Sequence, residues 1–344
     1  MTDKDNAVST ISLRKIFAHF IRAMIGAYAL NTLLHVAGIL LVGERWIVIE
    51  FFTTFAHLLW LPALILVPVC LVWREWRLTV MLLPALIALL VIWGDMFIPR
   101  SAPIEPTTDE VTFRVATYNI LALDRDPAPY LDFISTINAD IIGIQEVDRF
   151  HVEAFEPAFS DAYPYRSFHP IGGTAGAGLM SRYPIVEDEF WLFDVAPNRL
   201  GHQRTVIQIS DTQRIVVYNV HPSHPGMNAP FFNTDARGAE IALLLERIAG
   251  ETDPVLFLGD FNMPDFASDY DAVRDAGFGD AFRTGGYGFG WTFPNNLASQ
   301  MPTFLRLDYI FYDDAFRVLH AQVGETPAGS DHLPVFADVV LRGE

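Results

Sequence analysis

Asp253-Pro254-Val255-Leu256-Phe257-Leu258-Gly259-Asp260-Phe261-Asn262-Met263-Pro264 is an apolar run that stops at a glycine, after which two polar groups follow with one residue between them. The run has the length and continuity of a fully buried strand. At period two, Asp260 and Asn262 leave the sheet on the same side. The carboxylate accepts and can take a proton, while the carboxamide can donate and orient an oxygen. Alone, the pair reads equally well as a polar turn after a core strand. The other strand ends separate the two readings, because functional residues gather where buried strands stop.

Working outward, Val111–Tyr118 reads as a strand ending at Asn119, and Asp140–Ile144 as a buried one ending at Gln145-Glu146. Gly176–Ser181, Ile185–Phe193, Thr205–Ile209 and Arg214–Val220 are further strands, the last running into Asn219-Val220-His221. Asp308–Tyr312, Arg317–Val323 and Pro334–Leu341 close the chain, with Ser330-Asp331-His332 before the last. Helical spacing marks 130–138, 230–249 and 268–275, the second stopping at Gly250. Strands interspersed with helices predict two packed sheets with helices outside.

The first hundred residues are of another kind. Three apolar stretches, roughly 16–42, 47–73 and 78–99, are each long enough to cross a hydrocarbon core as a helix of about 20 residues. The organisation expected is a membrane domain over 1–100, a linker over 101–110 and a catalytic domain over 111–344. Lys4, Arg14 and Lys15 precede the first span, Arg74 and Arg77 join the second to the third, and Arg45 alone lies in the opposite link. That bias predicts a cytoplasmic N-terminus and, after three spans, an extracytoplasmic catalytic domain on a cytoplasmic (inner) membrane. The segment after residue 100 has 15 basic residues against 35 acidic ones, a net charge of −20, and every basic residue is arginine. Such a field opposes specific nucleic-acid binding. Cys70 is the only cysteine, so no intrachain disulfide exists and covalent cysteine catalysis in the polar domain is excluded.

The strand-end residues suit hydrolysis of a phosphate ester. Glu146, Asp331 and the Asn119 amide oxygen form the oxygen-donor set that a hard cation such as Mg²⁺, or Mn²⁺, takes. Asp260 with Asn262 can position and deprotonate a water. His221, His332 and the Asn262 amide can donate to charge developing on phosphoryl oxygens. Asp308 beside His332 would set its tautomer and favour the imidazolium. No Gly-x-Ser-x-Gly elbow is present.

Ala116-Thr117-Tyr118-Asn119, Ile144-Gln145-Glu146, Leu179-Met180-Ser181-Arg182-Tyr183-Pro184-Ile185, Asn219-Val220-His221, Gly259-Asp260-Phe261-Asn262, Arg306-Leu307-Asp308-Tyr309 and Ser330-Asp331-His332-Leu333-Pro334 occur in an order that resembles the endonuclease/exonuclease/phosphatase superfamily over about 111–341. The resemblance implies a DNase I-like four-layered α/β sandwich, here preceded by three transmembrane helices, and metal-dependent phosphoester cleavage. It implies Asn119, Glu146 and Asp331 at the metal, His221 and His332 on phosphate, Asp308 as partner of His332, Asp260 as base and Asn262 as its positioning neighbour. Some members carry an acid where this chain has Leu121, which leaves a leaner metal site and points away from the abasic-site repair branch. Several spans followed by such a domain also resemble the VanJ-type membrane proteins associated with teicoplanin resistance, which implies a lipid-linked phosphate of the cell envelope as substrate.

Arg182, Arg204 and Arg237 are candidates for substrate phosphate, with structural ion pairing as the equal alternative. His202 and His224 read as cleft or surface residues. The glycine-rich stretch 171–178 reads as a phosphate cradle or a hairpin loop, and Trp291, Phe293 and Phe304 as an apolar rim or core. Three functions stay open: an envelope phosphoester hydrolase, an extracytoplasmic nuclease, and a non-catalytic membrane binding module on the same fold.

Overall fold

The structure is a computed structural model that describes residues 13–100, 106–107, 110–121, 126–226, 231–295 and 302–343. Lys4, most of the expected linker and Pro230 lie outside the described residues. The chain divides into two units, residues 1–94 and 95–344.

In the first unit, α1 (Leu13–Val42) is one long helix, followed by α2 (Ile47–Thr54), α3 (Ala56–Trp60), α4 (Ala63–Val72) and α5 (Trp76–Trp93). Leu13–Val42 and Trp76–Phe97 are each long and apolar enough to cross a membrane. The expected second span is bent by 75° between Ile47–Thr54 and Ala56–Val72, so it makes a third crossing only if the bent pair counts as one. Local chemistry accounts for the break. Thr53 and Thr54 donate their hydroxyls back to Ile49 O (2.8 Å) and Glu50 O (3.2 Å), a bond pattern that bends helices. Pro62, just before α4, lacks the N–H that would continue the ladder. Ile25, Ala29, Val67, Cys70 and Leu82 form the core of this unit. Arg22, inside the first apolar stretch, pairs with Glu75 at 2.6 Å.

The second unit carries β1 (Val111–Asn119), α6 (Ala128–Ile137), β2 (Ile141–Gln145), α7 (Arg149–Ala158), β3 (Tyr165–His169), β4 (Ala177–Ser181), β5 (Ile185–Leu192), β6 (Gly201–Gln208) and β7 (Arg214–Val220). Then follow α8 (Asp235–Ile248), β8 (Val255–Asp260), α9 (Ser268–Asp275), β9 (Gly279–Asp280), α10 (Ala281–Gly285), β10 (Asp308–Tyr312), β11 (Phe316–Val323) and β12 (Val335–Leu341). They form two six-stranded sheets, ordered β11-β12-β1-β2-β4-β3 and β5-β6-β7-β8-β10-β9. Each sheet has one parallel pair at its centre, β1 with β2 and β7 with β8.

Alternation along the strands builds the layers. Ala116 and Tyr118 of β1 and Ile142 and Ile144 of β2 face outward into a core shared with Tyr130 and Ile134 of α6 and Phe155 of α7. Val216 and Tyr218 of β7 and Phe257 of β8 join Ile241 and Leu244 of α8 and Val273 of α9 on the other side. The alternate residues meet between the sheets, where the approach is close. A Cβ on Gly143 of β2 would lie 2.3 Å from Leu258 Cδ1 of β8. Helices, sheet, sheet and helices make the four-layered α/β sandwich. Period two also puts Asn119 on the face of Val115 and Thr117, and Asp260 on the face of Leu256 and Leu258. Both therefore end their strands pointing into the space between the sheets.

Candidate active site

The parallel pairs end side by side, and the polar strand ends collect there. Asn119 at the end of β1 donates through Nδ2 to Glu146 Oε1 (3.1 Å), just past β2, and to Asp260 Oδ2 (3.0 Å) at the end of β8. Asp260 Oδ2 also faces His221 Nε2 at 3.4 Å and His332 Nε2 at 3.6 Å. Behind His332, Asp308 Oδ2 lies 2.8 Å from Nδ1. Register makes this pairing local: Asp308 sits directly opposite Asp260 in the antiparallel β8–β10 pair. Asp260, Asp308 and His332 are all buried. Seven of the eight residues expected in catalytic and metal roles are thus joined by short contacts: Asn119, Glu146, His221, Asp260, Asn262, Asp308 and His332. Asp331, beside His332, has its carboxyl pushed up chiefly by burial, with the Glu146 and Asp260 charges adding to the effect and His332 opposing it.

Backbone strain marks the same places. Glu146 has φ 65°, Asn262 φ 52° and Leu121 φ 54°, all in the left-handed region that non-glycine residues avoid. Each is held by its surroundings. Leu121 N–H donates to Asn119 Oδ1 (3.1 Å), and Asn262 N–H donates to Asp260 Oδ1 (2.9 Å). Asn262 Nδ2 donates to Pro222 O at 3.0 Å, tying the β8 loop to the segment after His221. At Gly259 the backbone runs at φ 147°, and a Cβ would stand 1.9 Å from Val220 O, so only glycine lets β8 reach the site beside β7.

The charges are set by their neighbours. Burial opposes ionisation of Asp260, but His332 and His221 outweigh it and hold the carboxyl well below the usual range. Burial likewise opposes charge on His332, and the Asp308 and Asp260 carboxylates overcome it, raising the imidazole to about 10. His221 is raised in the same way by Asp260 against burial. At neutral pH the site therefore holds an ionised Asp260 facing an imidazolium whose far nitrogen shares its proton with Asp308. Among the described residues no partner reaches His221 Nδ1 or Asp308 Oδ1.

Three supports lie outside the sequence reading of roles. Thr292 Oγ1 accepts Leu307 N–H (3.1 Å) and Asp308 N–H (3.4 Å), fixing the start of β10. Ser330 Oγ donates to Asn119 O (2.7 Å) and accepts His332 N–H (3.0 Å), bridging two site residues. Glu240 of α8 accepts Ser223 N–H (2.6 Å) and the Ser223 hydroxyl (3.1 Å), pinning the loop after His221. Ser330 lies within a quoted motif and was legible there; Thr292 and Glu240 had no local signal.

The three arginines are engaged with protein acids. Arg182 follows the end of β4 that pairs with the start of β2, away from Glu146, and bonds Asp140 (2.9 Å) and Asn138 (2.7 Å). Arg204 is held by both oxygens of Glu251 (2.6 and 2.8 Å) and by Glu187 (2.9 Å). Arg237, buried, donates to Asp269 (2.7 Å) and to Asn262 O (2.7 Å), so it touches the site loop from behind. His202 is buried against Trp191 and Phe193. The stretch 171–178 joins β3 to β4, as a hairpin loop does.

Residues 116–332 match the model of the Endonuclease/Exonuclease/phosphatase family. The chain belongs to this family. Endonuclease/exonuclease/phosphatase proteins are phosphoester hydrolases, and this chain is an enzyme of that class. Solved structures share the fold. A family protein from Bacteroides thetaiotaomicron is 21% identical, covers 68% of this chain and 100% of its own, and superposes with a TM-score of 0.56. Mannosyl-6-phosphatase from Bacteroides thetaiotaomicron VPI-5482 is 20% identical over 66% of this chain and 99% of its own, with a TM-score of 0.53. D. rerio TDP2 complexed with single strand DNA product is 15% identical over 66% and 98%, with a TM-score of 0.55. No curated protein matches the chain.

Family members are generally metal-dependent, and the donor set here fits a cation. Asp260, Asp308 and His332 bring three ligand atoms within 4.8 Å of one another. The proton shared by His332 and Asp308 competes with a metal there. Glu146, by contrast, contributes to the mutual repulsion with Asp331, which a cation would relieve, and Asn119 Oδ1, already accepting from Leu121, keeps a second lone pair.

Proposed function

We propose that this chain is a membrane-anchored phosphoester hydrolase whose catalytic domain faces outward and acts on a phosphate or pyrophosphate of the cell envelope, carried on a lipid or another envelope molecule. The observation that carries the reading is the ionised Asp260, ringed by Asn119, His221 and His332 at the joined ends of β1, β7 and β8. The apolar helices support the anchor, and the arginine and lysine bias of their flanks supports the orientation.

Asn119 and Asn262 fix the Asp260 carboxylate, so it presents an oxygen to a water in one orientation. A carboxylate held this low is a weak base toward bulk water. It becomes competent as the water oxygen bonds to phosphorus and its proton turns acidic. The oxygen–phosphorus bond forms, the proton passes to Asp260, and the bond from phosphorus to the leaving oxygen breaks with its electron pair on that oxygen, which takes a proton from solvent. His332 and His221 donate to the phosphoryl oxygens as charge gathers on them, and Asp308 holds the His332 imidazolium by Nδ1–H, so that Nε2–H is free to do so. Glu146, with Asn119 Oδ1 and Asp331, would hold Mg²⁺, or Mn²⁺, which when bound supplies charge neutralisation at the phosphate. Arg237 acts on this machinery through Asn262.

The test is phosphate release by the purified full chain in detergent, with Mg²⁺ or Mn²⁺, from lipid pyrophosphates, phospholipids, nucleotides and plasmid DNA. Release from lipid phosphates that stops with chelator and returns with Mg²⁺ is expected. Plasmid nicking with no action on any lipid phosphate would replace the reading with the nuclease one. A periplasmic reporter fused after Leu341 should be active and a cytoplasmic one silent.

A further inference from the structure

A groove of about 710 Å³ lies beside the site, and nothing in the catalytic reading uses it. Its lining includes Pro99, Arg100, Tyr287, Phe289, Trp291 and Leu333. Phe289 stacks on Trp291 with ring centroids 4.7 Å apart, and Phe97 meets Phe289 edge-on at 4.8 Å and Tyr287 at 6.0 Å. The face is open: the aromatic Tyr287 is 63% exposed and Phe97 43%, and the aliphatic Ile98 is 61% exposed. Contiguous exposed aromatics of this kind mark a binding surface.

Two observations say what covers it. First, the segment that forms one wall is the end of an apolar span. Trp76–Phe97 is long and apolar enough to cross a membrane, and Ile98, Pro99 and Arg100 follow it. Within the second unit Gly288 N–H donates to Met96 O at 2.8 Å, and Arg100 Nη2 donates to Arg283 O at 2.5 Å. The loop 286–291 is therefore bonded to the residues that continue the apolar helix, and on the anchored reading these stand where the chain would leave a bilayer, a depth that aromatic side chains prefer. Second, the other wall is continuous with the catalytic residues. Trp291 precedes Thr292, which fixes Asp308, and Leu333 follows His332 and donates its N–H to Thr292 O at 2.8 Å.

We propose that this groove receives the hydrocarbon chain of an amphiphilic phosphate ester that stays partly in the membrane while its phosphate is presented to the Asp260–His332 site. The inference rests on the hydrolase reading above and adds the apolar half of the substrate. Aromatic rings and a proline give the groove its affinity for a chain, and Arg100 at its edge suits the anionic headgroup region.

The experiment uses the full chain in vesicles of phosphatidylethanolamine and phosphatidylglycerol. In one arm a photoreactive benzoylphenylalanine replaces Tyr287 or, as a control, the exposed Tyr165, and crosslinking to radiolabelled phosphatidylglycerol is counted. Labelling at 287 should exceed that at 165 by about tenfold, since the groove assignment puts 287, and not 165, against lipid. In the other arm phosphate release is followed from dipalmitoyl and from dibutyryl phosphatidic acid, which share one headgroup. Tyr287→Ser should raise KM for the long-chain substrate at least about fivefold, leave kcat and the short-chain reaction within about twofold, and be rescued by Tyr287→Trp. Equal effects on both chain lengths, or equal crosslinking at the two positions, would overturn the groove assignment. If the wild type hydrolyses neither lipid, the lipid-phosphate reading is what has failed for these headgroups, and the crosslinking arm still decides the groove.

Discussion

Two buried charge clusters flank one short segment, Arg306-Leu307-Asp308, and they are built on opposite plans. Arg306 forms an ion pair with Asp280, which also accepts the Tyr270 hydroxyl at 2.8 Å. The rest of its guanidinium lies against aromatic rings, with Tyr309 4.6 Å and Phe282 5.6 Å away. Two residues on, Asp308 pairs with His332, but the cluster runs further, to an ionised Asp260 between two histidines and to polar atoms with no partner among the described residues. The first is one matched pair packed in aromatic rings, and those rings, not hydrogen-bond acceptors, face Arg306 Nε and Nη1, which have no partner among the described residues. The second turns the Nε2 atoms of two histidines toward one carboxylate oxygen of Asp260. Burial alone does not distinguish a structural pair from a reactive one; the distinction lies in whether rings or further polar groups surround it.

Breaking each cluster separates activity from stability. Asp260→Asn or His332→Gln should lower phosphate release about a thousandfold or more, because positioning and charge stabilisation fail together, while circular dichroism reports an intact domain. Full activity in either variant would remove the substituted residue from the mechanism. Asp280→Asn should do the reverse. It leaves the Arg306 charge buried and unpaired, a loss of about 3–5 kcal/mol, which for a domain of this size lowers the melting temperature by roughly 10 °C. Activity per folded molecule should stay within about threefold of wild type. A melting point unchanged from wild type would show that the aromatic rings alone carry Arg306.

The Asp260 cluster was legible from residues alone, while the Arg306–Asp280 pair was not, and the reason is periodicity. The apolar runs of β1, β2, β7 and β8 announce buried strands, and period two then sends Asn119 and Asp260 to one face. Elements without that signal stayed hidden. β6 was expected from Thr205 and begins at Gly201, because Gly-His-Gln-Arg looks like surface, whereas His202 and Gln203 are fully buried between partners that are remote in sequence. β3 and α7 were not anticipated: Tyr165–His169 is only half-buried and α7 contains Pro157. The 75° bend in the second apolar stretch was invisible to a count of apolar residues, since it comes from threonine back-bonding and prolines. For the arginines the sequence left two readings equal. A cation in an acidic domain reads as a phosphate ligand until the acids that hold it are located, and Glu251, Asp269 and Asp140 are 47, 32 and 42 residues away.

His202 sharpens the comparison from the apolar side. It is buried against Trp191 and Phe193 with neither ring nitrogen partnered among the described residues. Burial, helped by the His221 and Arg247 charges, pushes it down to about 3. The unfolded chain takes up its proton near the ordinary value of about 6.5, so the folded state binds fewer protons between these limits. Stability from this residue is complete above about pH 6.5 and is lost as pH falls toward 3. Urea midpoints between about pH 6.5 and 5 should therefore fall more steeply for wild type than for His202→Leu. Parallel slopes would show that His202 is reached by water.

Arg182 gives the smallest effect and the plainest check on the arginines. Its pair with Asp140 has the arginine side chain 37% exposed, and the pair sits at the strand ends remote from Glu146. An exposed ion pair contributes only about 0–1 kcal/mol, so Arg182→Gln should shift the melting temperature by a few degrees at most and leave kcat and KM unchanged. A rise in KM of about tenfold with kcat intact would mean that the arginine leaves Asp140 to meet substrate, since that split is the signature of lost ground-state binding. The comparison of clusters would then extend to the rim, where an acid holds a cation in store until phosphate replaces it.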